Sequence, residues 1–256
     1  MAAYDIVALP AFSDNYIWVL HDATHAVVID PGEAEPVLDF LGRANLRLAA
    51  ILNTHHHADH VGGNAALLAK HPVPVFGPRD ERIAETTHPL AGGERFRLPH
   101  FGIEFEVLDI PAHTRSHIAF LGDGLLFCGD TLFAAGCGRL FEGTPRQMHD
   151  ALVKLAALPD ATRVYCGHEY TLSNLKFARA AEPGNAFLRE LTARMVRLRE
   201  AGAPTLPSTI AQEKASNPFI RVDAPGVIAS ASQRAGRPLN DPVSVLAEIR
   251  DWKNNF

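Results

Sequence analysis

The sequence predicts a mixed α/β domain over residues 1–172 followed by a small all-helical domain over residues 173–256. Three observations lead there. Short runs rich in β-branched and aromatic residues alternate with helix-like segments as far as Cys166. After Tyr170 the strand signals fade and a 3.6-residue periodicity takes over. A dense group of metal-binding side chains directly follows a buried strand, which is where open α/β sheets place their active sites. The order of segments suits two sheets packed face to face with helices outside. Pattern alone does not separate that arrangement from a single doubly wound sheet.

In chain order, Tyr4–Leu9, Tyr16–Leu20 and Ala26–Ile29 read as strands separated by polar breaks. Asp30-Pro31-Gly32 is a turn, and Glu35–Leu46 has helical spacing with Val37, Leu38 and Leu41 on one side. The apolar run Leu48–Leu52 is a buried strand, Asn64–Lys70 a helix, and Val73–Phe76 a short strand. Ile103–Leu108 alternates apolar and polar residues, as a half-buried strand does. Gly122-Asp123-Gly124 joins Ile118–Leu121 to Leu125–Cys128 as a hairpin. Thr144-Pro145-Arg146-Gln147 has the residues of a capping box and opens a helix to about Leu158. Val164–Cys166 is the last strand. Beyond it Asn174–Ala181, Ala186–Glu200 and Val243–Lys253 are helical, the longest with an apolar side at Phe187, Leu191, Met195 and Leu198.

Hydrophobic residues make up 47% of the 256 and charged residues 21%, as in soluble globular proteins. A formal net charge of −5 gives no support for nucleic-acid binding. No window approaches the ~20 apolar residues of a membrane span, and no basic start with a long apolar stretch marks a secretory signal. Cys128, Cys137 and Cys166 form no C-x-x-C pair, so neither a disulfide framework nor a thiolate zinc site is suggested. A cytoplasmic monomer acting on a small molecule is the expectation.

The chemistry centres on Thr54-His55-His56-His57-Ala58-Asp59-His60, a T-H-x-H-x-D-H spacing. Imidazole with carboxylate suits zinc, manganese or iron. A histidine tag would be terminal and uniform, and this stretch is neither. Three more donors each follow a strand-like segment: His113, Asp130 and His168. Taken singly, each is an ordinary turn residue. Together with His55, His57, Asp59 and His60 they make seven donors, too many for one tetrahedral zinc. The set suits two divalent metal ions, zinc ahead of iron or manganese. His55, His57 and His113 would hold the first ion, Asp59, His60 and His168 the second, and Asp130 would bridge them. The central His56 points away in this scheme.

T-H-x-H-x-D-H with a later His, Asp and His resembles the metallo-β-lactamase superfamily. That likeness implies an αββα sandwich with metals at one edge. More narrowly the chain resembles the glyoxalase II, or hydroxyacylglutathione hydrolase, family over essentially its whole length. The residues concerned are Ser13-Asp14-Asn15-Tyr16, Gly129–Phe133 running on to Gly136–Arg139, Glu142-Gly143-Thr144, Gly167–Thr171 and Asn217–Arg221. The resemblance implies hydrolysis of S-D-lactoylglutathione to D-lactate and glutathione. A metal-bridging hydroxide would attack the carbonyl, with Asp59 and Asp130 as the catalytic carboxylates. It also implies residues that hold the tripeptide. Tyr170 matches the family's tyrosine, and Arg139 stands where some members have lysine. Phe141 stands where some have tyrosine, without its hydroxyl. Arg250 and Lys253 match an R-x-x-K pair whose spacing puts both on one helix face. Other readings are a lactonase, β-lactamase or nuclease on the same scaffold, a mononuclear iron persulfide dioxygenase, and a non-catalytic metal-binding module. A nuclease would add a basic exosite, a dioxygenase needs fewer ligands, and a non-catalytic module would have degraded ones.

Overall fold

In the computed structural model, residues 4–256 are described, and the chain divides into two compact units. One comprises residues up to Asp109 together with Ser116–Gly129; the other comprises Ile110–Arg115 and Asp130–Phe256. The border expected near residue 172 is thus not where the chain divides by compactness. It stays our proposal for where the helical region begins.

In the first unit, β1 (Asp5–Ala11), β2 (Asn15–His21) and β3 (His25–Ile29) form an antiparallel meander. Helix α1 (Glu35–Ala44) then returns the chain to β4 (Arg47–Leu52), parallel to β3. α1 stops two residues short of the expected Leu46, because Asn45 turns left-handed at φ 53° and its N–H bonds back to the last turn. The short α2 (Ala58–Val61) and α3 (Asn64–Lys70) lead to β5 (Val75–Pro78) and β6 (His88–Leu90), both parallel, completing a six-stranded sheet in the order β1 to β6. β5 begins two residues later than Val73, the expected start. Leu48–Leu52 is apolar at every position because parallel strands are covered on both faces. On one face Ile51 and Val28 pack with Val37 and Leu41 of α1 and Leu67 of α3.

Strands β7 (Arg95–Arg97), β8 (Glu104–Asp109), β9 (Ile118–Gly122) and β10 (Leu125–Gly129) pair in the order β10-β9-β8-β7. Asp123 and Gly124 both take positive φ, 50° and 73°, the backbone of a tight hairpin turn. On the other face of the first sheet, Phe76 of β5 stacks on Phe96 of β7 at 4.6 Å, and Phe96 meets Phe105 and Phe120. Two sheets therefore face each other across an aromatic layer, and the single doubly wound sheet is excluded.

The second unit opens with the hairpin β11 (Leu132–Phe133) and β12 (Gly136–Cys137), then α4 (Pro145–Ala156) and β13 (Arg163–Cys166). Helices α5 (Thr171–Ala181) and α6 (Ala186–Glu200) follow, then β14 (Ser208–Thr209), antiparallel to β13. Helices α7 (Ile210–Ser216), α8 (Pro225–Ala235) and α9 (Pro242–Asn254) finish the chain. The expected all-helical region thus contains one two-residue strand. α6 buries Leu188, Leu191 and Met195 against Leu175 and Ala178 of α5 and Ala135 of the hairpin. Phe187, expected inside, is 37% exposed, since Leu188 takes the inward position.

Candidate metal centre

Each unit has its own set of donors. In the first, β4 ends at Leu52 and delivers Thr54 and His55 in a fully buried turn, and α2 carries Asp59 and His60. Gly32 lies so close beneath that a Cβ there would meet the Asp59 carbonyl oxygen at 2.0 Å. Asp30 organises the set. Its Oδ1 accepts the Thr54 N–H at 2.7 Å, and its Oδ2 accepts the Thr54 hydroxyl at 2.7 Å and faces His60 Nδ1 at 3.1 Å.

For neutral rings these bonds assign the tautomers. The Thr54 proton goes to Asp30, so Thr54 Oγ1 accepts from His55 Nδ1 at 3.1 Å and leaves His55 Nε2 as a lone pair. That lone pair meets His57 Nδ1 at 3.1 Å. His60 Nδ1 donates to Asp30, leaving its Nε2 facing Asp59 Oδ2 at 3.5 Å. Asp59, half-buried, also accepts from Asn15 Nδ2 at 3.0 Å. Asp30, His55 and His60 offer atoms within 4.8 Å of one another, close enough to serve one ion.

In the second unit His113 lies in the Ile110–Arg115 loop, Asp130 just before β11, and His168 just after β13. A carbonyl can only accept, so His113 Nδ1 donates to Arg139 O at 2.9 Å and, in the neutral ring, the Nε2 lone pair faces Asp130 Oδ2 at 3.6 Å. His168 Nε2 lies 3.3 Å from the same oxygen. Asp130 Oδ2 therefore sits between two imidazoles. All three residues are buried.

Lone pairs turned on one another or on carboxylate oxygens repel unless a proton or a cation lies among them. The donor types, their tautomers and the backing of their outer nitrogens are those of a metal site. The residues fit a divalent ion.

The remaining residues sort as follows. His56 turns to Asp80, Nδ1 to Oδ2 3.7 Å, whose carboxyl the Arg82 guanidinium holds well below the usual range. His117, for which the sequence offered no pattern, is buried and stacks on His55 at 4.5 Å. In the second unit, Arg139, Phe141 and Arg250 line one pocket of about 370 Å³ with Leu140, Ala247, Asp251 and Asn254. Phe141 is 61% exposed and sets its ring edge-on to His113. Arg250 is buried, donates to Cys137 O at 2.7 Å, and keeps a buried Nε with no hydrogen-bond partner among the described residues. Tyr170 stacks on His168 at 4.6 Å. Lys253 lies outside that pocket's lining; its Nζ bonds Ser173 Oγ at 3.2 Å, and burial lowers it to about 8.

Asp30 and Asn15 were not singled out as functional from sequence. Asp30 lay in an Asp-Pro-Gly turn, and neither residue's partner is local: Thr54 is 24 positions from Asp30, and Asp59 is 44 from Asn15.

Two family models match the chain: metallo-beta-lactamase superfamily over residues 11–168 and hydroxyacylglutathione hydrolase C-terminus over residues 169–256. A protein of Nitrosomonas eutropha named hydroxyacylglutathione hydrolase is 55% identical, covering 98% of this chain and 99% of its own length. Among solved structures, ETHE1 from Myxococcus xanthus is 25% identical at a TM-score of 0.65, covering 98% of each chain. TTHA1623, solved in a di-iron-bound form, is 27% identical at a TM-score of 0.59, covering 84% of this chain and 99% of its own.

Proposed function

The chain belongs to the hydroxyacylglutathione hydrolase family of the metallo-β-lactamase superfamily, and from that membership we propose that it hydrolyses S-D-lactoylglutathione and related S-2-hydroxyacylglutathiones to the 2-hydroxy acid and glutathione. This is the second step of methylglyoxal detoxification. The observation that carries the reading is the match of the helical region, residues 169–256, to the hydrolase's own C-terminal model. The scaffold admits several hydrolases; that region narrows the substrate.

The proposal assigns His55, His57 and His113 to one ion, Asp59, His60 and His168 to a second, and Asp130 to both. Two features support it. Asp130 Oδ2 lies between His113 and His168, which the proposal gives to different ions. Within the first unit His55 Nε2 lies 3.1 Å from His57 Nδ1 and His60 Nε2 lies 3.5 Å from Asp59 Oδ2, each pair on one side of the division, although His55 and His60 are also near neighbours. Zinc is the first choice, with iron or manganese accepted by the same donors. When bound, such an ion polarises a carbonyl and brings the ionisation of water near neutral pH.

The chain's own residues do the rest. Asp59, oriented by Asn15, accepts a proton or a hydrogen bond from the attacking water. Asp30 and the Arg139 carbonyl hold His60 and His113 in the tautomers that present Nε2. Arg139 and Arg250 offer positive charge to the carboxylates of glutathione. Lys253 adds an ammonium, and the exposed Phe141 ring an apolar wall. Cytoplasmic location and a monomeric state complete the proposal; no helix among the described residues is long and apolar enough to cross a membrane.

Steady-state assays with S-D-lactoylglutathione, a lactone and a β-lactam test it together. Thioester turnover should dominate, vanish on exhaustive chelation and return with about two equivalents of zinc. Full activity after metal removal would refute the metal assignment, and preference for the lactone would refute the substrate.

A further inference from the structure

The hairpin of β11 and β12 lies between Asp130 and Arg139, so its two flanks touch the donor set of the second unit. One flank begins at Asp130 itself. The other ends at Arg139, whose carbonyl accepts from His113 Nδ1. The flanks are pressed together: a Cβ on Gly138 would meet the Asp130 carbonyl oxygen at 2.0 Å. At the tip, Ala135 is held at φ 54°, a left-handed conformation uncommon outside glycine and costly for an alanine.

Helix α7 is bonded to this tip. Glu213 Oε2 accepts the Ala135 N–H at 2.8 Å. One turn on, Asn217 Nδ2 donates to Gly136 O at 2.8 Å, to Phe133 O at 3.2 Å and to the same Glu213 oxygen at 3.0 Å. From α5, Asn174 Nδ2 donates to Ala134 O at 3.1 Å, and a Cβ on Gly136 would meet that nitrogen at 2.5 Å. Glu213 is wholly buried and the mechanism above makes no use of it. A buried carboxylate is expensive to keep, and this one has spent an oxygen on one strained loop.

We propose that Glu213 is a positioning residue for the thioester hydrolysis: its Oε2, gripping Ala135 N–H and Asn217, sets the hairpin whose flanks place Asp130 and the Arg139 carbonyl that orients His113. The inference rests on the hydrolase reading above. Burial pushes the Glu213 carboxyl up to about 7, and the bonds from Ala135 and Asn217 only partly offset it. Burial raises the Cys166 thiol, and the Glu213 charge in turn adds to the rise. What matters in the proposal is the place of the acceptor oxygen, not its charge.

Two variants of the full chain separate these. Glu213→Gln keeps an acceptor in place and removes the charge; Glu213→Asp keeps the charge and withdraws the acceptor by one methylene. The Gln variant should stay within threefold of the parent in kcat. The Asp variant should lose at least tenfold in kcat, change KM less than kcat, and release zinc at tenfold lower chelator concentration. Thermal melts of the metal-free proteins establish that both are folded at the assay temperature. If the Asp variant does not fold, Asn174→Ala, which frees the Ala134 carbonyl, is expected to show the same loss. Equal kcat and metal retention in both variants, or loss in Gln with retention in Asp, overturns the proposal. Absence of thioesterase activity in the parent would instead overturn the functional reading on which it stands.

Discussion

Asp30 accepts from the Thr54 amide, the Thr54 hydroxyl and His60 Nδ1, so three groups of the metal loop depend on one carboxylate. Asp30→Ala would leave these donors buried and unpaired. The expected result is a loss of zinc affinity of about 10- to 100-fold, typical of removing the group behind a metal-binding imidazole; a chelator titration measures it, and unchanged affinity would remove Asp30 from this role. Lys253 belongs to the same scale. Burial first, then the charges of Arg250, Arg139 and Lys176, lower it to about 8. Between that pH and its ordinary value of 10.5 the unfolded chain holds a proton that the folded one has released, so this group makes stability rise with pH through that window. Binding behaves oppositely, because an anion needs the ammonium. KM for the glutathione thioester should therefore climb from pH 7 to pH 9, and Lys253→Arg should flatten the climb. A KM independent of pH in the parent would place Lys253 outside the tripeptide site. The residues proposed as ligands were visible in sequence because histidines and aspartates at strand ends announce themselves. Asp30 and Asn15 were not marked as functional because they act through partners folded against them.

At the scale of elements, local chemistry decided what could be foreseen. The capping box at α4 is formed as its residues suggest: Thr144 Oγ1 accepts the Gln147 N–H and Gln147 Oε1 accepts the Thr144 N–H. Thr144→Ala should lower stability by about 1 kcal/mol and leave kcat unchanged, read from the denaturant midpoint alongside the assay. A parallel fall in kcat per folded molecule would mean that α4 bears on the site. Elements stabilised by distant partners were not anticipated. β6 and β7 have three residues each, and β11, β12 and β14 two each, too few for an alternation to register. α8 buries only Val227 and Ala231, so its apolar stripe is thin. In α6 the period was right but the phase at its first turn was not, and Phe187 gave way to Leu188.

For the whole molecule, composition changes near residue 172 whereas compactness divides the chain at other points, because each property reports something different. Composition follows the kind of secondary structure. Compactness follows packing, and Ala135 packs with Leu175 and Leu188 of the helical region. The T-H-x-H-x-D-H loop alone indicated a metal-binding cluster; naming the family needed motifs spread from Ser13 to Arg221.

The burial of Cys128, Cys137 and Cys166 has a consequence for the redox chemistry of the molecule's surroundings. A hydroxyacylglutathione hydrolase releases glutathione, a thiol, at every turnover. Thiol–disulfide exchange needs an accessible thiolate. Burial pushes the Cys137 and Cys166 thiols above their ordinary range, and all three cysteines are buried. The folded protein should therefore resist S-glutathionylation by its own product pool. Incubation with glutathione disulfide should add no mass to the native chain and should label it once denatured; an adduct on the native protein would mean that one of these thiols becomes exposed in solution.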